Sequence, residues 1–320
     1  MRGRILLAIF AIASAFVPFI ASAESIRVSY VGTTGTNLPL WVAQEAGLFK
    51  KYGLTTDLVL ISGGSTIIQA LLAQEIAFAT IAGPAVIQSR LQGADVAIIA
   101  SPYNLMPYSL VVHGSIRSPA DLRGKRIAIT RFGGITEVAA RLALDKLGLT
   151  PKDVTMVQSG PDGVRILAVE SGSVAGTMIG PPALFSAVAH GLRVMADLAD
   201  SAAYPMGTIV TSRAFQAQNR GLTKRFLMGF VDGIRYVLDH KDFGMRTLQK
   251  YTRLTDPAVL SQSYDYFAKR TVLVPLTDPA VIRNVVPPEK ASGRMDDFYD
   301  NSVLLELVQE GFLPRESKQK

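Results

Sequence analysis

The chain carries three histidines, His113, His190 and His240, and no cysteine. Without thiols there are no disulfides, no thiolate metal sites, no cysteine nucleophile and no N-terminal cysteine to carry a lipid. No two histidines stand four residues apart, the spacing that sets two imidazoles on one helix face for zinc, so no metal site is expected. Catalytic signatures are equally thin. G-x-S-x-G and G-x-G-x-x-G do not occur, and Gly124-Lys125-Arg126 lacks the upstream glycine and following Ser or Thr of a phosphate loop. Asp296 and Asp297 fall in a helical C-terminal region, where two adjacent carboxylates read as solvated charge. The residue stock predicts neither an enzyme nor a bound cofactor.

What recurs instead is a strand-to-helix turn built from small residues. Gly63-Gly64-Ser65-Thr66 opens one helix and Arg131-Phe132-Gly133-Gly134-Ile135-Thr136 another. A helix N-terminus offers unpaired N–H groups and partial positive charge to an anion, although glycine there also simply supplies a positive φ. Arg131 is the most pointed charge partner, because a guanidinium takes a carboxylate or sulfonate in fork geometry; a surface pair with Glu137 is the plainer alternative. Thr33, Thr34, Thr36 and Asn37 either donate to a ligand or cap the helix beginning Leu38-Pro39, and capping is the simpler role. Tyr103, Tyr108 and Tyr204 would suit an aromatic wall, whereas Trp41, one turn into its helix, reads as core.

These turns need a scaffold that alternates strand and helix. Apolar runs predict strands near Ile26–Val31, Thr56–Ile61, Ala77–Ile81 and Val96–Ala100, with helices over Leu38–Phe49, Ser65–Gln74 and Pro84–Leu91. A second series follows, with strands near Arg126–Thr130, Val154–Gln158, Val174–Ile179 and Arg193–Ala196 and helices over Ile135–Lys146, Gly163–Glu170 and Pro182–Ala189. Ile61-Ser62-Gly63-Gly64 and Ala82-Gly83-Pro84-Ala85 are echoed by Gln158-Ser159-Gly160 and Gly180-Pro181-Pro182-Ala183. One βα architecture used twice is the economical explanation.

At 320 residues the chain exceeds the roughly 250–300 at which a single core stops growing. Lobe I is expected over 24–110 and 209–320 and lobe II over 111–208, with crossings near Leu110–Val112 and Gly207–Val210 forming a hinge. The helical tail should return to lobe I through Phe226, Phe230, Val231, Ile234 and Val237. Residues 1–23 read as a cleaved signal peptide: basic Arg2 and Arg4, a 16-residue apolar stretch from Ile5 to Ile20, then Ala21-Ser22-Ala23. That stretch is shorter than the roughly 20 residues that span a bilayer, so export to the periplasm is expected. Removing Arg2 and Arg4 leaves 31 basic against 26 acidic side chains, lowering the formal charge from +7 to +5. The basic residues are scattered, which disfavours nucleic acid as a partner.

The run Asn37-Leu38-Pro39-Leu40-Trp41-Val42-Ala43-Gln44-Glu45-Ala46-Gly47-Leu48-Phe49-Lys50-Lys51-Tyr52-Gly53-Leu54, with Gly63-Gly64-Ser65, Ala82-Gly83-Pro84-Ala85 and Asp121-Leu122-Arg123-Gly124-Lys125-Arg126-Ile127-Ala128, resembles the solute-binding proteins of the sulfonate, nitrate and taurine uptake group of ABC transporters. That group also holds binders of thiamine-pyrimidine precursors. The resemblance covers Ile26 to about Arg235. It implies an α/β, two-lobed type II periplasmic binding protein fold, closing on a small ligand by hinge motion. It also implies that Gly63 to Thr66, Ala82 and Gly83, and Arg131 to Thr136 meet that ligand. The group's precursor-making enzymes resemble a variant with a cysteine-rich loop and an active histidine, from which a chain without cysteine departs.

The expected binding set is Thr34, Asn37, Gly64, Ser65, Thr66, Ala82, Gly83, Tyr103, Arg131, Gly133, Gly134, Thr136 and Pro181. The expected function is capture of a small organic anion, a sulfonate or carboxylate, by a monomer that delivers it to an ABC permease with its ATPase. A neutral pyrimidine ligand, an enzyme, or a sensor subunit on the same scaffold are the alternatives.

Overall fold

The computed structural model describes residues 24–201, 203–287, 289 and 294–315; the leader expected over 1–23 lies outside them. Its strands are β1 Glu24–Tyr30, β2 Leu54–Leu60, β3 Phe78–Ile81, β4 Val96–Ala100, β5 Tyr103–Asn104, β6 Ser109–Val112, β7 Arg126–Ile129, β8 Thr155–Gln158, β9 Gly176–Ile179, β10 Arg193–Asp197, β11 Pro205–Met206 and β12 Thr208–Ser212. They form two five-stranded sheets, ordered β2-β1-β3-β12-β4 and β10-β6-β9-β7-β8, and a two-stranded sheet of β11 and β5. Read from its other edge, the second sheet is β8-β7-β9-β6-β10 and has the topology of the first. β1 pairs in parallel with β2 and β3, as β7 does with β8 and β9. The fourth strand of each sheet is antiparallel to both neighbours and comes from the chain just after it has crossed between lobes. The echo between the two halves of the sequence is thus a repeated topology.

The crossings differ from expectation. Leu110–Val112 lies inside β6, which pairs on one side with β9 and on the other with β10. Thr208 and Val210 likewise pair with Ile81 and Ala79 inside the first sheet. The chain changes sheets a few residues earlier in each case, at β5 and β11, whose pairing of Pro205 with Asn104 and Met206 with Tyr103 ties the two passages together. A boundary drawn between 110 and 111 therefore cuts a strand whose apolar residues Leu110, Val111 and Val112 are fully buried in the second sheet. The helix expected over Leu38–Phe49 is also two, Leu38–Glu45 and Leu48–Lys51, because Gly47 takes a left-handed φ of 69° between them.

The long helix Arg220–Asp239 packs on the first sheet's side. Phe226 stacks between Phe78 and Phe49, at centroid distances of 4.1 and 5.1 Å. Its Gly229 and Gly233 permit the close approach: a Cβ at either would fall 2.6 Å from Phe49 or 2.5 Å from the Pro39 carbonyl. No helix among the described residues is long and apolar enough to cross a membrane.

Candidate functional site

A cavity of about 490 Å³ opens where the carboxyl ends of the parallel strands of both sheets face each other, the place where open α/β sheets bind ligands. Lobe I supplies the turn after β1, the Ser62–Gly64 turn after β2, and Ala82 after β3; lobe II supplies Thr130, Arg131 and Gly134 to Thr136 after β7, Gln158 at the end of β8, and Gly160 to Gly163 beyond it. Met206 and Gly207 of the crossing close the back.

Asn37 shapes the lobe I wall. It is buried, its amide donates to the Val31 and Gly32 carbonyls at 3.3 and 3.2 Å, and its Oδ1 accepts from Thr80 on β3. The amide is thereby committed to holding the turn against its neighbouring strand. It makes no side-chain cap for the Leu38–Glu45 helix, so the capping role expected for it is replaced by that of a staple. Thr34 and Thr36 line the cavity beside it.

Arg131 reaches across the cleft. Its Nη2 donates to Ser65 Oγ at 2.8 Å, and its guanidinium lies flat against Gly63, where a built Cβ would come 2.1 Å from Cζ. Gly63 adopts φ 95° as the residue before the Gly64–Leu72 helix, so glycine serves both backbone and contact. The surface alternative is taken elsewhere: Glu137 accepts from Arg141 and from the Gly133 N–H, each at 2.7 Å. Burial works to raise the Glu137 carboxyl, but the Arg141 and Gly133 hydrogen bonds outweigh it and hold it below its ordinary value. Among the described residues no carboxylate pairs with Arg131, leaving a half-buried cation facing the cavity.

A second charged group lies one strand over. Asp162, first residue of the Asp162–Glu170 helix, lines the cavity and accepts from Arg165 through Oδ1. Arg165 is wholly buried and also donates to the carbonyls of Gly160 and Met178 at 3.0 and 2.6 Å and to Thr177 Oγ1 at 2.7 Å. Tyr108 lines the same cavity, and burial, reinforced by Asp162, pushes its hydroxyl well above the ordinary range so that it stays protonated.

Of the expected residues, Thr34, Asn37, Gly64, Ala82, Arg131, Gly134 and Thr136 line the cavity. The others do not. Ser65 holds Arg131 from behind, and Thr66 is exposed on its helix. A Cβ on Gly83 would sit 2.4 Å from Pro205, so that glycine serves the packing of the crossing. Gly133 is exposed with its N–H on Glu137. Pro181 is buried and accepts the Gly35 N–H at 3.4 Å, a contact between lobes. Tyr103 is fully buried behind the cavity, edge-on to Phe267 at 5.7 Å; Tyr108 is the tyrosine that faces the opening. Asp162 and Gln158 were missed, although the echo of Ser62-Gly63-Gly64 in Ser159-Gly160 marks their turn as the counterpart of the Gly63 turn. The three histidines have local partners outside the cavity: Ser115, the Ser186 carbonyl and the Tyr236 ring. A smaller cavity of about 320 Å³ is lined by Met106, Leu142 and Lys146, whose ammonium is already bonded to the Asp197 carbonyl and Ser201 Oγ.

Sequence similarity places the chain in a family. Residues 36–242 match the family described as NMT1/THI5 like. The chain belongs to that family. Among the relatives of this NMT1/THI5-like chain is a Brucella abortus protein described no further than as a candidate binding protein, 31% identical over 167 residues, 51% of each chain. The chain spans about half the length of the first such relatives. The taurine-binding periplasmic protein of Escherichia coli is 26% identical over 248 residues, 76% of this chain and 75% of that one. Among solved structures, the alkanesulfonate-binding protein of Xanthomonas axonopodis, bound to MOPS, superposes with a TM-score of 0.70 at 19% identity, covering 82% of this chain and 90% of that one. The NMT1/THI5-like chain thus has the periplasmic binding protein fold, and relatives that bind ligands.

Proposed function

We propose that this chain is the periplasmic solute-binding component of an ABC importer, closing its two lobes on a small organic monoanion, a sulfonate or carboxylate, and presenting it to a permease driven by a separate ATPase. The observation that carries this reading is Arg131, a half-buried guanidinium in the cavity wall with no carboxylate partner among the described residues. The helices beginning at Gly64 and Ile135 aim their N-termini at the same space. Each such terminus contributes about 0.3–1 kcal/mol toward an anion, up to about 2 when partly buried. Micromolar affinity needs about 8 kcal/mol, so Arg131, the cavity hydroxyls and desolvation supply most of it. A ligand touching both Gly64 and Arg131 binds the closed form better than the open one, and that difference drives closure. The taurine and alkanesulfonate specificities of the relatives point to the same chemical class.

A thermal-shift screen of the chain from Glu24 against sulfonates, nitrate, carboxylates, amino acids and pyrimidines tests this. A ligand at about 100 times its dissociation constant adds roughly 2.7 kcal/mol to stability, a shift of several degrees. Silence across every anion together with a shift from a neutral heterocycle would overturn the anion reading in favour of a pyrimidine receptor.

A further inference from the structure

We infer that Asp162 sets the selectivity of the cleft, favouring monoanions whose tail carries a hydrogen-bond donor, hydroxyl or ammonium, and rejecting a second anionic group. The inference rests on the anion reading above and adds to it the chemistry of the ligand's other end. Arg165 needs a counter-charge, because a wholly buried guanidinium without one is strongly destabilising. Asp162 provides it through Oδ1 alone. The Asp162 side chain is 45% exposed and opens into the cavity, and Oδ2 has no partner among the described residues. A carboxylate serving only the buried arginine has no need to line a cavity.

The carboxylate is also fixed. Arg165 is held on three further sides by Gly160, Thr177 and Met178, so it cannot swing to follow a displaced partner. The vacant oxygen therefore keeps one position, and it accepts from a ligand donor but repels a ligand anion. Tyr108, kept neutral by burial, adds a hydroxyl to the same cavity and no charge. Asp162 follows β8 and Arg131 follows β7, which are hydrogen-bonded neighbours with Ile129 opposite Gln158. Both groups line the one cavity, so a ligand seated in it presents an anionic head to Arg131 and a donor to Asp162.

The test is calorimetric titration of the full chain with four sulfonates of one length: ethanesulfonate, 2-hydroxyethanesulfonate, 2-aminoethanesulfonate and 1,2-ethanedisulfonate, repeated with propionate, 3-hydroxypropionate and succinate. The donor-tailed acids should bind at least tenfold tighter than the methyl-tailed parent, and the dianions at least tenfold weaker. In Asp162→Asn the spread should shrink below threefold and the dianions should enter. Asp162→Glu, which keeps a counter-charge for Arg165 if the amide variant fails to fold, should move the preference to a tail shorter by about one carbon. Parents that bind with no dependence on the tail overturn the role of Asp162 and leave the anion receptor standing. Binding by none of the monoanions overturns both.

Discussion

The two lobes share a topology and face each other across one cavity, yet they build their walls from different materials. Lobe I lines it with the hydroxyls of Thr33, Thr34, Thr36 and Ser62, with small residues, and with apolar Leu60 and Ile81, none of them charged. Lobe II places both ionised lining groups there, Arg131 and Asp162, backed by the buried Arg165. The same strand-to-helix turn, used twice, has become a shaped wall on one side and a charged wall on the other. Shape and charge fail differently when mutated, so the comparison predicts a division of labour between affinity and stability.

The largest effect is expected at Arg131. Hydrogen bonds to charged groups contribute about 1.5–3 kcal/mol, so Arg131→Ala should weaken an anionic ligand by roughly tenfold to a hundredfold while leaving the melting temperature of the ligand-free chain within a degree or two, since among the described residues its side chain hydrogen-bonds to Ser65 alone. Calorimetry and a melt on the same sample check both halves. Unchanged affinity would remove Arg131 from the site. Asn37→Ala is the mirror experiment on the shaped wall. It deletes three hydrogen bonds, leaving the buried Thr80 hydroxyl and the part-buried carbonyls of the turn after β1 without that partner, a loss of about 1–3 kcal/mol in stability. Melting should drop by several degrees, while the ranking among anions stays as in the wild type. A changed ranking with unchanged melting would mean that Asn37 reads the ligand directly.

Much of this scaffold is legible in the sequence. β4 spans the residues that its apolar run predicts, and the Ile135–Lys146 helix does too. The return of the Phe226–Val237 face to lobe I follows from periodicity, because an amphipathic helix needs a partner. The crossings were misplaced because β6 and β12 are apolar and short, like any buried strand, and nothing local distinguishes a strand that joins a sheet from one that links two. In the site, glycine turns and Arg131 stand out as residue types. Tyr103 and Tyr108 do not separate, since both follow strands, and only packing on Phe267 sends Tyr103 inward. Asp162 looks like an ordinary helix-opening acid, with Arg165 at i+3, until the fold buries that arginine completely.

Gly63 is where the two walls meet, and a methyl group there sharpens the comparison. Gly63→Ala adds a Cβ within 2.1 Å of the Arg131 guanidinium carbon, and φ 95° is strained for alanine. The flexible arginine yields first, so the charge remains in the chain but leaves its position over the turn. Affinity for an anion should fall about tenfold, roughly 1.4 kcal/mol, with melting lowered by the backbone strain. If Gly63→Ala binds as tightly as the wild type, the contact between Arg131 and the Gly63 turn is incidental to binding, and lobe I contributes shape only.

The smallest effect concerns the clip that shapes the Arg131 turn. Glu137 holds the Gly133 N–H and Arg141, and its carboxyl lies below its ordinary value of 4.5 in the folded chain. A lowered folded value means that the stabilisation is complete above about pH 4.5 and is lost as pH falls through the lowered value. A sulfonate stays ionised throughout that range, so titrating affinity with a sulfonate isolates the protein's own protonation. Affinity should hold flat from pH 7 to about 5 and decline only below roughly 4.5, where the turn carrying Arg131 loosens. Glu137→Gln should remove that acid limb and weaken binding about twofold at pH 7, the size of an exposed i,i+4 pair. A flat profile into acid, or a decline that Glu137→Gln leaves in place, would show that the charged wall keeps its shape without this clip and that another carboxylate governs the acid limb.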